Sequence, residues 1–270
     1  MKIKTAAKPV VAPPQVATRL LKVFAAYSRQ YVCRRFHAIG ILKNGLPPSD
    51  VSGPMVIYLN HASWWDPLVC LHLARKFLAN RTSFAPIDAE SLQRYGFFKH
   101  LGFYGIERQS VRGAMTFLRI SCSLLGTARN AVWLTPQGSF KDVRERPVRL
   151  QHGIGLLATR MENVAFVPLA IEYVFWAEPR PEILLSFGQP AVPKDAPLRS
   201  SGEWTTFFGN ALEEVQEELA VKSARRDPLD WIVLEKGASG ISAMYDTWRW
   251  LGSWICGRQF VRGHKAENSI

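Results

Sequence analysis

The pairing in this sequence best suited to moving a proton is a histidine and an aspartate five residues apart, His61 and Asp66, within Asn60-His61-Ala62-Ser63-Trp64-Trp65-Asp66-Pro67. A carboxylate bonded to one imidazole nitrogen fixes the tautomer and stabilises the imidazolium. The other nitrogen is then free to take a proton from a hydroxyl. Such a two-member base activates an external alcohol or water and needs no nucleophile from the protein. The same spacing also fits an ordinary strand-to-helix turn, with Asp66 only a cap and His61 a surface residue.

Geometry decides which elements allow the pair to meet. On one continuous helix, residues five apart diverge by about 140°, so a helix would hold His61 and Asp66 apart. The run Met55-Val56-Ile57-Tyr58-Leu59 is short, apolar and partly β-branched, which predicts a buried strand ending just before His61. Asp66-Pro67 is a helix-start signal, because the carboxylate caps free N–H groups and proline suits a first turn. Leu68, Val69, Leu71, Leu73 and Leu78 predict a buried helix behind it. A loop between strand and helix lets His61 fold back over Asp66.

Four stretches in order carry a family resemblance. Asn60 followed by His61, four residues and Asp66 resembles the first motif of the glycerolipid acyltransferases, the family of 1-acylglycerol-3-phosphate acyltransferases. Gly105-Ile106-Glu107-Arg108 is similar to the second block, Leu134-Thr135-Pro136-Gln137-Gly138-Ser139 to the third (Phe-Pro-Glu-Gly-Thr), and Val167-Pro168-Leu169-Ala170-Ile171 to the fourth. The resemblance spans roughly residues 54 to 190.

The resemblance implies that His61 and Asp66 are the catalytic pair, that His61 deprotonates a lipid hydroxyl attacking a thioester, and that the donor is acyl-CoA or an acyl-carrier protein. It implies a substrate site made by Glu107, Arg108, Gln137, Gly138 and Ser139. Arg108 is its anion-binding member, and backbone N–H groups around Gln137-Gly138 or the next helix start are the expected oxyanion donors. No metal and no redox cofactor is expected. The chain departs from the family where Gln137 replaces the usual glutamate, Ser139-Phe140 replaces Thr-Arg, and Gln151 stands where a basic residue is usual. These departures bear on the acceptor. A lysophospholipid such as 1-acylglycerol-3-phosphate is the expected acceptor, with a glycolipid or other phosphate-free hydroxyl as the alternative. Lys141, Arg144, Arg146 and Arg149 follow the third block as candidate substitutes for the missing cations, or as a solvated basic loop.

Charge points to an anionic partner: the chain of 270 residues has a net charge of +12, with 47% hydrophobic residues, enough for one sizeable core. Eight of those charges lie in residues 1–36, which contain no acid. From Val16 to Phe36 the apolar residues Leu20, Val23, Phe24, Tyr27 and Tyr31 recur at helical spacing, with basic residues on the flanks. This predicts either a helix lying on an anionic membrane surface or one packed on the domain with a solvated basic face. No apolar run reaches the ~18 residues of a membrane span, and a secretory signal is not evident. The expected place is therefore the cytoplasmic face of a membrane, held peripherally. Cys33, Cys70, Cys122 and Cys256 have no metal-ligand spacing, and Cys70 and Cys122 are expected to be buried thiols.

The remaining signals alternate between strand and helix. Strands are predicted at 82–87, 104–107, 131–134, 164–173 and 182–187. Helices are predicted at 110–129, with Val111, Ala114, Met115, Leu118, Cys122 and Leu125 inward, at 153–161, and after Pro197. The fold class expected is α/β, a mixed, largely parallel sheet flanked by helices, with amphipathic membrane-surface helices at both termini. Its site falls at strand ends. The acidic run Glu213, Glu214, Glu217 and Glu218 is expected to be a solvated face, and among the dispersed histidines His152 lies nearest the third block. The boundaries follow: 1–36 a basic arm and amphipathic helix, 37–235 the acyltransferase domain, and 236–270 a C-terminal segment where Tyr245, Trp248, Trp250 and Trp254 interleave with Arg249, Arg258 and Arg262. Tryptophan beside arginine suits a lipid interface as well as stacked nucleic acid, and the family resemblance favours lipid. The rival class is a non-catalytic basic protein on membranes or nucleic acid.

Overall fold

In a computed structural model, which describes residues 13–197 and 199–237, eight strands form one sheet in the order β4-β3-β5-β2-β6-β7-β1-β8. The strands are β1 (Ala38–Leu42), β2 (Met55–Leu59), β3 (Thr82–Asp88), β4 (Phe103–Ile106), β5 (Asn130–Leu134), β6 (Ala165–Val174), β7 (Glu182–Phe187) and β8 (Trp231–Lys236). The helices are α1 (Thr18–Arg35), α2 (Asp66–Phe77), α3 (Ala89–Arg94), α4 (Val111–Leu125), α5 (Gly153–Ala158) and α6 (Ser201–Arg225). Neighbouring strands are parallel from β4 through β6 and between β7 and β1, and antiparallel for β6–β7 and β1–β8. The expected mixed, largely parallel α/β architecture is present. The expected basic arm lies largely in residues 1–12 and the Trp/Arg-rich segment in 238–270, both outside the described residues.

The strand sequences explain why the sheet is covered on both sides. Met55, Ile57 and Leu59 of β2 enter a core with Val32 and Phe36 near α1 and Val69 and Leu73 of α2. Val56 and Tyr58 enter the opposite core with Phe117 and Ile120 of α4, Ile154 of α5 and Phe208 of α6. Strands buried on both faces show continuous apolar runs instead of alternation, and the best anticipated strands are of this kind.

Three elements depart from expectation. Strands β1 and β8 and helix α3 are additional. Ala38-Ile39-Gly40-Ile41-Leu42 carries a glycine at its centre, and β8 is a half-exposed edge with charged residues, so neither has a strong strand pattern. In α4 the inward face is Gly113, Phe117, Ile120, Ser121 and Leu124 together with the anticipated Leu118 and Leu125. Val111, Ala114 and Met115 point outward instead, because two apolar stripes compete on this helix and the one with Phe117 and Ile120 faces the sheet. Cys70 and Cys122 are half-buried rather than fully enclosed.

Helix α1 packs on the domain, the second of the two arrangements expected for it. Ala25, Ser28 and Val32 pack inward, and Arg29 makes a forked ion pair with Glu235 of β8, at 2.9 and 2.6 Å. Leu20, Val23 and Tyr27 remain exposed on its outer side.

Candidate active site

Strand β2 stops at Asn60, whose buried carboxamide continues the ladder that the backbone gives up. Its Nδ2 donates to the Ile171 carbonyl and its Oδ1 accepts the Ile171 N–H, both at 2.9 Å. The chain leaving β2 is therefore fixed against β6 just where the loop carrying His61 begins. Within the loop, the Asp66 N–H donates to the Ser63 carbonyl at 3.2 Å, and α2 starts with Asp66 and Pro67 in its first turn.

His61 folds back over Asp66 as the loop geometry requires. Its Nδ1 lies 2.8 Å from Asp66 Oδ2, so Nδ1–H is the donor and Nε2 is left as the acceptor. No described residue bonds Nε2. Asp66 is fully buried, and three donors offset its desolvation: the imidazole, the Ser63 N–H at 3.1 Å on the same oxygen, and the Tyr173 hydroxyl at 2.7 Å on Oδ1. Burial, and then the Asp66 charge, hold the Tyr173 hydroxyl well above its usual range, so it stays a donor. Burial likewise pushes the neighbouring Cys70 thiol up and keeps it protonated. The anticipated helix cap takes a different form. Trp65 occupies the cap position without a side-chain bond, and the Asp66 carboxylate reaches back to the Ser63 N–H instead of forward to the helix. It still benefits from the positive end of the α2 dipole.

The loop after β5 grips the backbone of His61 on both sides. The Gln137 side-chain oxygen accepts the His61 N–H at 2.7 Å, and the Lys141 N–H donates to the His61 carbonyl at 2.8 Å. Gln137 is buried, so its side chain is a brace for the His61 loop. Gly138 adopts φ +75, where side chains are strained, and its N–H is engaged with the Thr135 carbonyl at 3.1 Å. The Phe140 ring sits 4.3 Å from the His61 ring, centroid to centroid, tilted by 44°. Ser139 and Phe140 are both exposed.

Glu107 and Arg108 follow β4, on the same sheet edge as His61 because β4, β3, β5 and β2 are mutually parallel. Three strand spacings, roughly 14 Å, separate β4 from β2. Glu107 is occupied by the Ser110 hydroxyl at 3.3 Å and Arg112 at 3.9 Å. Arg108 is exposed and has no carboxylate partner among the described residues. In the basic loop, Lys141 pairs with Glu145, Arg144 with Asp142 and Arg146 with Glu217, and Arg149 has no carboxylate partner among the described residues. His152 is exposed at the start of α5, without a capping bond. Among the described residues no group of three or more His, Cys, Asp or Glu side chains is placed to hold a metal.

The structure thus brings His61, Asp66 and Gln137 together, with Ser139 at the rim and Glu107-Arg108 across the strand ends. Sequence reasoning missed Tyr173, Asn60 as a clamp and the Lys141 N–H. Tyr173 is two residues beyond the fourth block, and a polar pair, Glu172 and Tyr173, near the end of a mainly apolar strand was the available signal.

Residues 39–172 match the family model described as Acyltransferase. The match begins in β1, includes His61, Asp66, Arg108 and Gln137, and ends one residue before Tyr173. No curated protein matches the chain.

Proposed function

Through residues 39–172 the chain belongs to the acyltransferase family, and on that premise we propose that it moves a fatty acyl group from a thioester, acyl-CoA or acyl-carrier protein, to the free hydroxyl of a lysophospholipid. The observation that carries this reading is the 2.8 Å bond between His61 Nδ1 and buried Asp66, which leaves Nε2 open at the C-terminal strand edge. Nε2 takes the proton of the acceptor hydroxyl as its oxygen attacks the thioester carbonyl. The C–O bond forms, the C–S bond breaks, and His61 returns the proton to the departing thiolate sulfur. Asp66 stabilises the imidazolium in between.

The same reading has the enzyme working on a lipid surface. A connected series of rings runs from Tyr95 through Phe98, Phe97, Phe24, Tyr27 and Tyr31 to Trp65 and Trp64, with successive centroids 4.4 to 6.5 Å apart. It ends in the catalytic loop itself. Tyr27, Trp64, Tyr95 and Phe97 are exposed beside Leu20 and Val23, and Arg19, Lys22, Arg34, Arg35, Arg94 and Lys99 are exposed on the same elements. Apolar rings flanked by cations suit the boundary between acyl chains and anionic headgroups. No described helix is long and apolar enough to cross a membrane.

A second acceptor, an uncharged glycolipid hydroxyl, is favoured by one observation: Phe140 lies against His61 at a position where the family's third block usually carries arginine. The deciding experiment supplies purified protein with acyl-CoA or acyl-carrier-protein donors and a panel of lysophospholipids and glycolipids. Ester formation that disappears with His61→Ala supports the proposal, and no transfer to any lipid hydroxyl overturns it.

A further inference from the structure

The Asp66 carboxylate has two oxygens, and only one is used by the catalytic loop. Oδ2 receives His61 Nδ1 and the Ser63 N–H, while Oδ1 receives the Tyr173 hydroxyl at 2.7 Å. Tyr173 comes from β6, a different element, and its position is not free. The two bonds from Asn60 to Ile171 fix the register of β6 against the loop two residues earlier. Its ring packs on Phe36, centroids 5.8 Å apart, and Phe36 in turn packs on Trp65 at 4.9 Å. A carboxylate held only by the loop retains rotation about its terminal torsion. One held at both oxygens by separate elements has a fixed plane, and with it a fixed direction for the imidazole.

We propose that Tyr173 is a positioning residue of the His61–Asp66 base. Its hydroxyl locks the Asp66 plane and disperses part of the carboxylate charge, so it sets both the aim of His61 Nε2 and the pH at which the base becomes available. The inference rests on the acyl-transfer reading for its kinetic test, although the geometry it describes exists without substrate.

The sign of the pH effect follows from the hydrogen bond. A carboxylate that loses a donor concentrates its charge toward His61 and favours the imidazolium. The unprotonated base then appears only at higher pH. Tyr173→Phe keeps the ring on Phe36 and removes only the hydroxyl. It is expected to lower kcat by about tenfold to a hundredfold, the range for a hydrogen bond to a charged group, to leave KM for the acceptor within about twofold, and to move the acid limb of the kcat/KM profile to higher pH. In an Asp66→Asn background the same change is expected to do much less, because the partners act as one unit. A substrate-free measurement separates failure of this inference from failure of the activity assignment: the low-field proton resonance of His61 Nδ1–H is expected to broaden in Tyr173→Phe. If Tyr173→Phe loses folding, Phe36→Leu reports the packing contribution alone and is expected to leave the pH profile in place. An unchanged pH profile and an unchanged proton resonance in folded Tyr173→Phe would overturn the proposal.

Discussion

The Gln137 side-chain oxygen accepts the backbone N–H of His61 at 2.7 Å, so the third block braces the first. Replacing Gln137 by methionine keeps its length and leaves that N–H without an acceptor. The cost expected is ~1–3 kcal/mol of unfolding free energy, with a fall in kcat as His61 loses its aim. Gln137→Glu retains an acceptor and is expected to keep activity within about tenfold of the parent. Urea unfolding beside steady-state kinetics checks both.

His61→Ala is expected to abolish transfer while changing stability little, since the imidazole is a loop side chain. Asp66→Asn is expected to cost ~10² to 10⁴ in rate and, because two other donors then face an amide, ~1–3 kcal/mol in stability. A His61→Ala enzyme with near-parental turnover would refute the mechanism.

Arg108 is exposed at the strand edge with no carboxylate partner among the described residues, so an acceptor headgroup is its expected ligand. Arg108→Ala is expected to reduce turnover on lysophosphatidic acid about tenfold or more, as loss of a charge-assisted contact to phosphate does, and to leave an uncharged glycolipid unaffected. Phe140→Arg is expected to shift preference toward the phosphate acceptor. The ratio of the two turnovers is the measurement, and equal loss on both lipids in Arg108→Ala would count against a headgroup role.

Tyr27→Ser with Trp64→Ser removes two exposed rings of the aromatic series. Partition onto anionic vesicles is expected to weaken at least about tenfold, given ~1.5–3 kcal/mol for a fully buried large apolar side chain. Vesicle flotation reads this directly, and parental flotation of the double variant would contradict the lipid-surface assignment.

A separate pH effect comes from Glu182, at the start of β7, buried with neither carboxyl oxygen bonded among the described residues. Burial, with the Glu178 charge adding and Arg226 opposing, pushes this carboxyl up to about 7. An unfolded glutamate ionises near ~4.3, so between that pH and about 7 the folded state holds the extra proton. Stability is therefore full below the unfolded value and is lost as pH rises through 7. Glu182→Gln is expected to flatten that decline, measured as unfolding free energy from pH 5 to pH 8.

Much of the site was visible in the sequence for a physical reason. A buried parallel strand has a dense apolar signature, so β2 and its end at Asn60 were legible, and the loop-to-helix spacing made contact between His61 and Asp66 feasible. What the sequence concealed came from other elements. Tyr173 reaches Asp66 from a strand 107 positions away, and only the β2–β6 pairing reveals that adjacency. The outward turn of Val111 and Met115 was hidden because two apolar stripes fit the same helix, and only the sheet decides between them. Strand β1 was missed because Gly40 interrupts its short apolar run, and it acquires its partners late in the chain.

Strand β1 lies between β7 and β8, and α1, just before it, is tied to β8 through Arg29 and Glu235. A chain emerging from the ribosome exposes residues 38–42 well before it supplies the strands on either side of them. Until Trp231–Lys236 emerges, the nascent protein carries an open apolar edge in the company of an unlatched helix. Translation speed and chaperone capture are therefore expected to govern yield more strongly than the equilibrium stability of the finished sheet.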